Sequence, residues 1–246
     1  MAGVRLNPLE QFTIEPIVPI HIGAFDASFT NSSLWMAIIV IAITLVILLG
    51  MSRASIVPGR LQSAVELLYD FIANMLKENV GSEGRKYFPF VFSLFMFVLF
   101  ANLIGLVPGA FTVTSHIVVT FALAIMVFII ATIIGFVRHG THFFGYFVPK
   151  GAPLWLLPLM IPIEIISYCI RPLSLSIRLF ANMVAGHVML VVVGAFVYAI
   201  GIWMGWLPLA FITAMTGLEF LIACLQAYVF AILTCIYLND SINLSH

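Results

Sequence analysis

Ionisable side chains lie inside long apolar segments of this sequence, at Glu164, Arg171, Arg178, His187 and Glu219. The guanidinium of Arg178 stays protonated in proteins, so this residue cannot avoid the cost of burial by becoming neutral. An arginine at the centre of a membrane helix costs about 2.5–3.5 kcal/mol on insertion scales. Charged residues kept at membrane depth mark ion pathways by default, and we interpret these residues in that way.

The spacing of these residues places them on defined helix faces. Glu164, Arg171 and Arg178 are seven residues apart, so they share one slowly drifting stripe, with Asn182 on or beside it. Such a stripe faces a partner or a water-filled cavity rather than lipid. His187 is nine residues beyond Arg178, about half a turn away, and is expected to face elsewhere unless the helix bends.

A second polar stripe follows in the last apolar segment, where Glu219 and Gln226 are again seven residues apart. A buried carboxyl without a partner favours its neutral form, and a histidine titrates near neutral pH. Glu219 and His187 together could therefore pass protons. Structural explanations stay open, because Arg178 could pair with Glu164 or Glu219, Arg171 could form a structural ion pair, and His187 could be a packing residue. We expect no metal and no cofactor.

The composition shows what kind of element must hold these side chains. Of 246 residues, 63% are hydrophobic and 8% are charged, whereas soluble domains carry about 25% charged residues. The apolar runs are continuous and about 20 residues or longer, which predicts membrane-spanning helices rather than a β-barrel. The ten basic residues form no cluster for nucleic acid. We therefore predict an all-α polytopic membrane protein with one integral membrane domain over residues 1–246.

The predicted spans cover residues 34–51, 87–107, 115–137, 155–200 and 208–238, with Ser33 as the cap of the first. Residues 155–200 would form about 69 Å of helix, against a hydrocarbon core of about 30 Å, so they either fold back near Pro172 or cross at a steep tilt. Seven of the ten basic residues fall in the loops after the first and third spans. The positive-inside rule then places the tail, 1–32, outside and those loops inside.

Residues 61–79 differ from the spans, because Leu61, Val65, Leu68, Ile72 and Leu76 recur at helical spacing between polar residues. We predict an amphipathic helix that lies at the membrane interface, with a docking helix that faces solvent as the alternative.

One long motif is specific: Ser174-Leu-Ser-Ile-Arg-Leu-Phe-Ala-Asn-Met-Val-Ala-Gly-His187, followed by Leu225-Gln-Ala-Tyr-Val-Phe230. It resembles subunit a of the F-type ATP synthase, the stator half of its proton channel, and the resemblance extends over nearly the whole chain. It implies one tilted crossing for 155–200 and a hairpin of two long, steeply tilted helices, 153–240, that faces a ring of c subunits. Further implied partners are the b subunits of the peripheral stalk, other synthase subunits and membrane lipid.

The same resemblance implies roles for the polar residues. Arg178 would face the essential carboxylate of the c-ring, and Glu219 and His187 would line the half-channel from the outer side. Asn182 and Gln226 would lie near the arginine, and Glu164 near the exit toward the inside. The subunit would not be an enzyme by itself.

The carboxylate and the histidine occupy opposite positions in the best-studied enteric bacterial pattern. The order found here, His187 and Glu219, resembles alphaproteobacterial and mitochondrial members. We therefore expect a bacterial plasma membrane, with the mitochondrial inner membrane as the alternative. A secondary proton-coupled transporter is the main functional alternative, although no internal repeat is visible. A scaffold subunit without conduction would leave the buried ionisable set unexplained.

Overall fold

The structure, a computed structural model, describes residues 13–19, 21–22, 25–26, 28–52, 55–107, 110–140, 143, 156–200 and 205–243. Two short antiparallel strand pairs come first: β1 (Pro16–Val18) with β4 (Phe29–Thr30), and β2 (His21–Ile22) with β3 (Phe25–Asp26). The helices that follow are α1 (Asn31–Met51), α2 (Arg60–Val80), α3 (Phe88–Gly105), α4 (Ile117–His139), α5 (Leu157–Ile200) and α6 (Trp206–Ile242). Much of the predicted tail, 1–32, and the loop cations Arg53 and Lys150 lie outside the described residues.

Five helical segments in the described part are long and apolar enough to cross a membrane, which confirms the predicted all-α polytopic class. They comprise α1, α3 with its preceding 3-10 turn, α4, α5 and α6. The first begins earlier than predicted, because the Thr30 side chain, rather than Ser33, caps it by accepting a hydrogen bond from the Ser33 amide at 3.3 Å. After His139, Gly140 takes a positive φ of 56° and ends α4.

The long segment over 155–200 forms one continuous helix rather than folding back at Pro172. Helix α5 has 44 residues, about 66 Å of helix, and contains both Pro162 and Pro172. Helix α6 has 37 residues, about 55 Å. An upright helix needs only about 20 residues to cross the hydrocarbon layer, so both helices are too long to stand upright within it.

Helix α6 is the centre of the packing, since it contacts α2, α3, α4 and α5. The core around it contains the fully buried side chains Ile72, Met96, Leu179, Phe230 and Leu238, which come from α2, α3, α5 and α6. Large-to-small changes at such positions cost about 2–5 kcal/mol, so this core fixes the position of α6 relative to its neighbours.

Helix α2 covers the amphipathic segment 61–79. Its side chains Val65, Ile72 and Leu76 are buried against the rest of the chain, whereas Leu61 is exposed. The apolar face is therefore used largely for packing within the subunit. The interfacial location of this helix stays a prediction.

Candidate functional site

Helices α5 and α6 carry Arg171 and all the residues predicted to form the proton pathway, and they pack side by side as consecutive elements. We name the two ends of this pair after the topology that the basic residues predict. The end beside residues 110–116 is called the outer end, and the turn Val113–Ser115 contacts α5 there. The end beside the last residues of α4 is called the inner end, where the His139 imidazole is 3.1 Å from the Ile242 carbonyl.

A cavity of about 180 Å³ lies between α5 and α6 near the outer end. It brings together three of the predicted residues, since His187 and Asn182 line it from α5 and Glu219 lines it from α6. Apolar side chains form most of the remaining wall, among them Leu106 at the end of α3 and Met189 and Met215 on the two long helices. Such a cavity is large enough for several water molecules, because one water occupies about 30 Å³ of liquid volume.

The Glu219 carboxyl is the polar group most deeply placed at this cavity. The residue is 7% exposed, and both carboxyl oxygens are buried without a hydrogen-bond partner in the described part of the chain. Gly186 on α5 faces it so closely that a Cβ atom there would lie 2.6 Å from Oε1. The absence of a side chain at position 186 therefore allows the carboxyl to lie against the backbone of α5.

His187 contacts the loop before α4, whereas Arg178 is exposed, so the two face different ways, as the half-turn between them predicts. Its Nε2 atom is 2.9 Å from the Thr112 hydroxyl, which belongs to the buried loop between α3 and α4. The Thr112 hydroxyl also lies 3.3 Å from the Gly105 carbonyl. Sequence reasoning missed Thr112, since a threonine in a loop gives no signal of a contact 75 residues away.

Arg178 lies between the two ends and is exposed on α5. Among the described residues it forms no ion pair or hydrogen bond, so the alternative that it pairs with Glu164 or Glu219 is not supported. Its neighbours on the exposed face include Ser174, Ala181 and Ala185, which are all small. This cation therefore lies on a face that none of the described residues covers, and a charge that faces lipid is costly.

Arg171, one stripe position before Arg178, has a partner within the chain. Its Nη1 atom lies 3.0 Å from Oδ2 of Asp240 near the end of α6, and both side chains are partly buried. Structural pairing of Arg171, one of the two interpretations left open by the sequence, is therefore correct. Asp240 was not singled out as its partner, although a cation in an apolar helix predicts a nearby acid.

The remaining predicted residues lie apart from the cavity. Gln226 is 8% exposed, two turns beyond Glu219 on α6. Glu164 is half-buried near the start of α5, about 35 Å of helix away from His187. Asn102 on α3 was not predicted, and its side-chain amide donates to the Ala223 carbonyl of α6 at 3.3 Å while its Oδ1 atom has no partner among the described residues.

His116 lies just before α4 and stacks on Phe111, with ring centroids 5.0 Å apart. Burial lowers the pKa of its imidazole and so favours the neutral form. Its Nε2 atom is buried and has no partner in the described part of the chain.

Comparison with known proteins assigns the chain to a family. The family model described as "ATP synthase A chain" matches residues 33–239. This chain belongs to that family. A relative from Parvibaculum lavamentivorans named "ATP synthase subunit a" is 57% identical over 99% of this chain and 96% of the relative. Relatives with the same name from Paramagnetospirillum magneticum and Mesorhizobium japonicum are 55% and 54% identical, over 97% and 100% of this chain and 99% and 100% of theirs.

Membership of the ATP synthase A chain family confirms the resemblance found in the sequence. It agrees with the five apolar helices, so the chain is a multi-pass membrane protein of an ATP synthase that takes part in ion transport and ATP synthesis. The transporter alternative has no support from these relatives.

Proposed function

We propose that this chain is the proton-translocating a subunit of an F-type ATP synthase, with two offset half-channels that load and unload a carboxylate on a c-ring. The observation that carries the proposal is Arg178, an exposed cation without an ion pair among the described residues, on the same helix as a cavity that contains an unpaired buried acid. A cation placed in this way suits a mobile carboxylate of a neighbouring subunit.

In this proposal a proton enters from outside through the cavity of Glu219 and His187 and neutralises a carboxylate of the ring. The neutral carboxyl turns through lipid at low cost, whereas an ionised one could not. After nearly a full rotation it reaches the inner half-channel near Glu164 and releases its proton there. The half-buried position of Glu164 near the inner end of α5 supports this role.

Arg178 has two functions in the proposal. It favours the ionised form of the ring carboxylate as that group passes, since an opposite charge nearby stabilises the ionised form. It also separates the half-channels, because a fixed cation repels protons that would leak across. Asn182 and Gln226 supply polar groups near this boundary. Each proton that crosses releases about 2.3 kcal/mol per 100 mV of membrane potential, and a leak would lose that energy.

The proposed setting follows from the same scheme. Residues 1–32 form the outer tail, 61–79 the interfacial helix and 153–240 the tilted hairpin that faces the c-ring, all within one membrane domain. The b subunits of the peripheral stalk hold the chain as a stator in a bacterial plasma membrane. The subunit itself performs no ATP chemistry, which falls to other subunits of the complex.

The test is Arg178→Ala in the complete ATP synthase, reconstituted in vesicles. We expect proton-driven ATP synthesis to fall to background while the subunit still assembles, because an exposed side chain contributes little to packing. Ser174→Ala is the matched control, since Ser174 is exposed one turn earlier and, among the described residues, its hydroxyl bonds only to the Arg171 carbonyl, at 3.0 Å. Synthesis at the control rate by Arg178→Ala vesicles would refute the proposal.

A further inference from the structure

The second half of the connection between α3 and α4 lies in the protein interior instead of over its surface. Residues 111–115 are all buried, although three of the five carry hydroxyl groups, namely Thr112, Thr114 and Ser115. Burial of polar groups is costly without hydrogen bonds, so a buried hydroxyl that contacts a titratable residue calls for an explanation. Thr112 carries such a hydroxyl, because its oxygen lies 2.9 Å from Nε2 of the titratable residue His187.

A glycine makes this approach possible. A Cβ atom at position 105 would lie 2.8 Å from Cγ2 of Thr112, so a side chain on Gly105 would displace the threonine. With glycine at this position, the Thr112 hydroxyl reaches the Gly105 carbonyl at 3.3 Å as well as the His187 ring. The end of α3, the loop and α5 therefore meet at one hydroxyl group.

The chemistry of a hydroxyl suits a neighbour that gains and loses protons. A threonine hydroxyl has one donor and two acceptor sites, whereas a carbonyl only accepts. When Nε2 of His187 carries a proton, it donates to Thr112, and the hydroxyl donates to Gly105. When Nε2 carries none, the hydroxyl turns and donates to it. The nitrogen is therefore hydrogen-bonded in both protonation states without movement of the backbone.

We infer that Thr112 is a positioning residue for His187, whose hydroxyl holds the imidazole at the outer cavity in both protonation states of Nε2. This inference rests on the proposed function, in which His187 passes protons toward Glu219. The ring also hydrogen-bonds to the Gly105 backbone, but a carbonyl only accepts, so without the Thr112 hydroxyl this contact would offer no donor to an unprotonated Nε2.

The experiment compares three variants in the complete, reconstituted ATP synthase. Thr112→Val removes the hydroxyl and keeps the side-chain shape, Thr112→Ser keeps the hydroxyl, and Thr114→Val is the matched control. Thr114 is fully buried two residues away, and its hydroxyl has no hydrogen-bond partner in the described part of the chain. Proton-driven ATP synthesis and ATP-driven proton pumping are measured per assembled complex.

We expect Thr112→Val to reduce both proton fluxes about fivefold, which corresponds to the loss of one hydrogen bond. Thr112→Ser keeps the hydroxyl, and we expect its fluxes to stay within about twofold of the original rate. Thr114→Val is expected to stay near the original rate. If Thr112→Val fails to assemble, Thr112→Ala removes the same hydroxyl without added bulk and is compared in the same way.

Two results would overturn the inference. One is equal proton flux in the hydroxyl-free Thr112 variant and in Thr114→Val. The other is a Thr112→Ser variant that assembles normally but has a proton flux as low as that of Thr112→Val. Arg178→Ala in the same preparation separates the two levels of explanation. Loss of coupling in Arg178→Ala with normal flux in Thr112→Val refutes only the positioning role, whereas normal coupling in Arg178→Ala refutes the proposed function itself.

Discussion

The outer and inner ends of the α5–α6 pair hold their acids in opposite ways. At the outer end, Glu219 is buried beside a cavity, and neither carboxyl oxygen has a partner among the described residues. At the inner end, Asp240 is only partly buried and lies 3.0 Å from the guanidinium of Arg171. Glu219, the more buried acid, therefore has no counter-charge among the described residues, whereas the more exposed Asp240 has one.

This difference separates two uses of a carboxyl group in a membrane. An unpaired buried carboxyl favours its neutral form and can exchange a proton with water in a cavity. A carboxylate beside an arginine stays ionised and joins two helices. The outer end is therefore suited to proton transfer, and the Arg171–Asp240 pair to fixing α5 against α6. Glu164, near the inner end, forms no ion pair within the described residues.

Among the variants that test this difference between the two ends, Gly186→Ala is expected to have the largest effect on proton-driven ATP synthesis. The new methyl group would lie 2.6 Å from Glu219 Oε1 and 3.0 Å from its Cδ atom, so the carboxyl must move away from α5. That carboxyl is the end of a flexible side chain, and we therefore expect normal assembly with proton-driven ATP synthesis reduced about tenfold, as for a misplaced proton-transfer group. The measurement is ATP synthesis per assembled complex in vesicles, with Glu219→Gln as the reference for a lost acid.

Gly194→Ala is the matched control for this experiment. Position 194 lies two turns later on α5, and a Cβ atom there would meet no atom within 4 Å. Both substitutions add the same methyl group and the same helix propensity, about 0.5–1 kcal/mol in favour of alanine. Equal rates in the two variants would show that the carboxyl position does not matter for proton loading.

The sequence predicted the helices better than the contacts between them. The continuous apolar runs gave five spans, and the seven-residue spacing placed Arg171 and Arg178 on one side of α5. The half-turn offset of His187 was also correct. Spacing could not show that Thr112 contacts His187 or that Gly186 faces Glu219, because both contacts depend on how separate elements pack. The different surroundings of Arg171 and Arg178 have the same cause, since only the position of α6 decides which cation has an acid nearby.

A smaller effect is expected from Asp240→Asn at the inner end. This change leaves the Arg171 guanidinium without its acid in a partly buried position, and we expect a loss of stability of about 2 kcal/mol. Proton-driven synthesis is expected to fall no more than about twofold, because the pair joins helices and does not carry protons. The temperature at which the complex loses its ATP-driven pumping measures the stability, and initial pumping rates measure the flux.

Arg171→Gln combined with Asp240→Asn sharpens this test. The double variant removes both charges, so we expect it to lose less stability than the sum of the two single variants. Additive losses would show that the two side chains do not act as a pair. A loss of flux in Asp240→Asn as large as in Gly186→Ala would contradict the division of roles between the two ends.

The smallest effect is expected from Glu83→Gln, which removes the ion pair between Glu83 and Arg138 at the same inner end. Both side chains are substantially exposed, so water and salt screen their attraction, and exposed pairs of this kind contribute little to stability. We expect neither the inactivation temperature nor the pumping rate to change measurably, in contrast to Asp240→Asn in the same assays. If Glu83→Gln destabilised the complex as much as Asp240→Asn, exposure would not explain how much each ion pair contributes to stability. The role given to the Arg171–Asp240 contact between α5 and α6 would then be wrong.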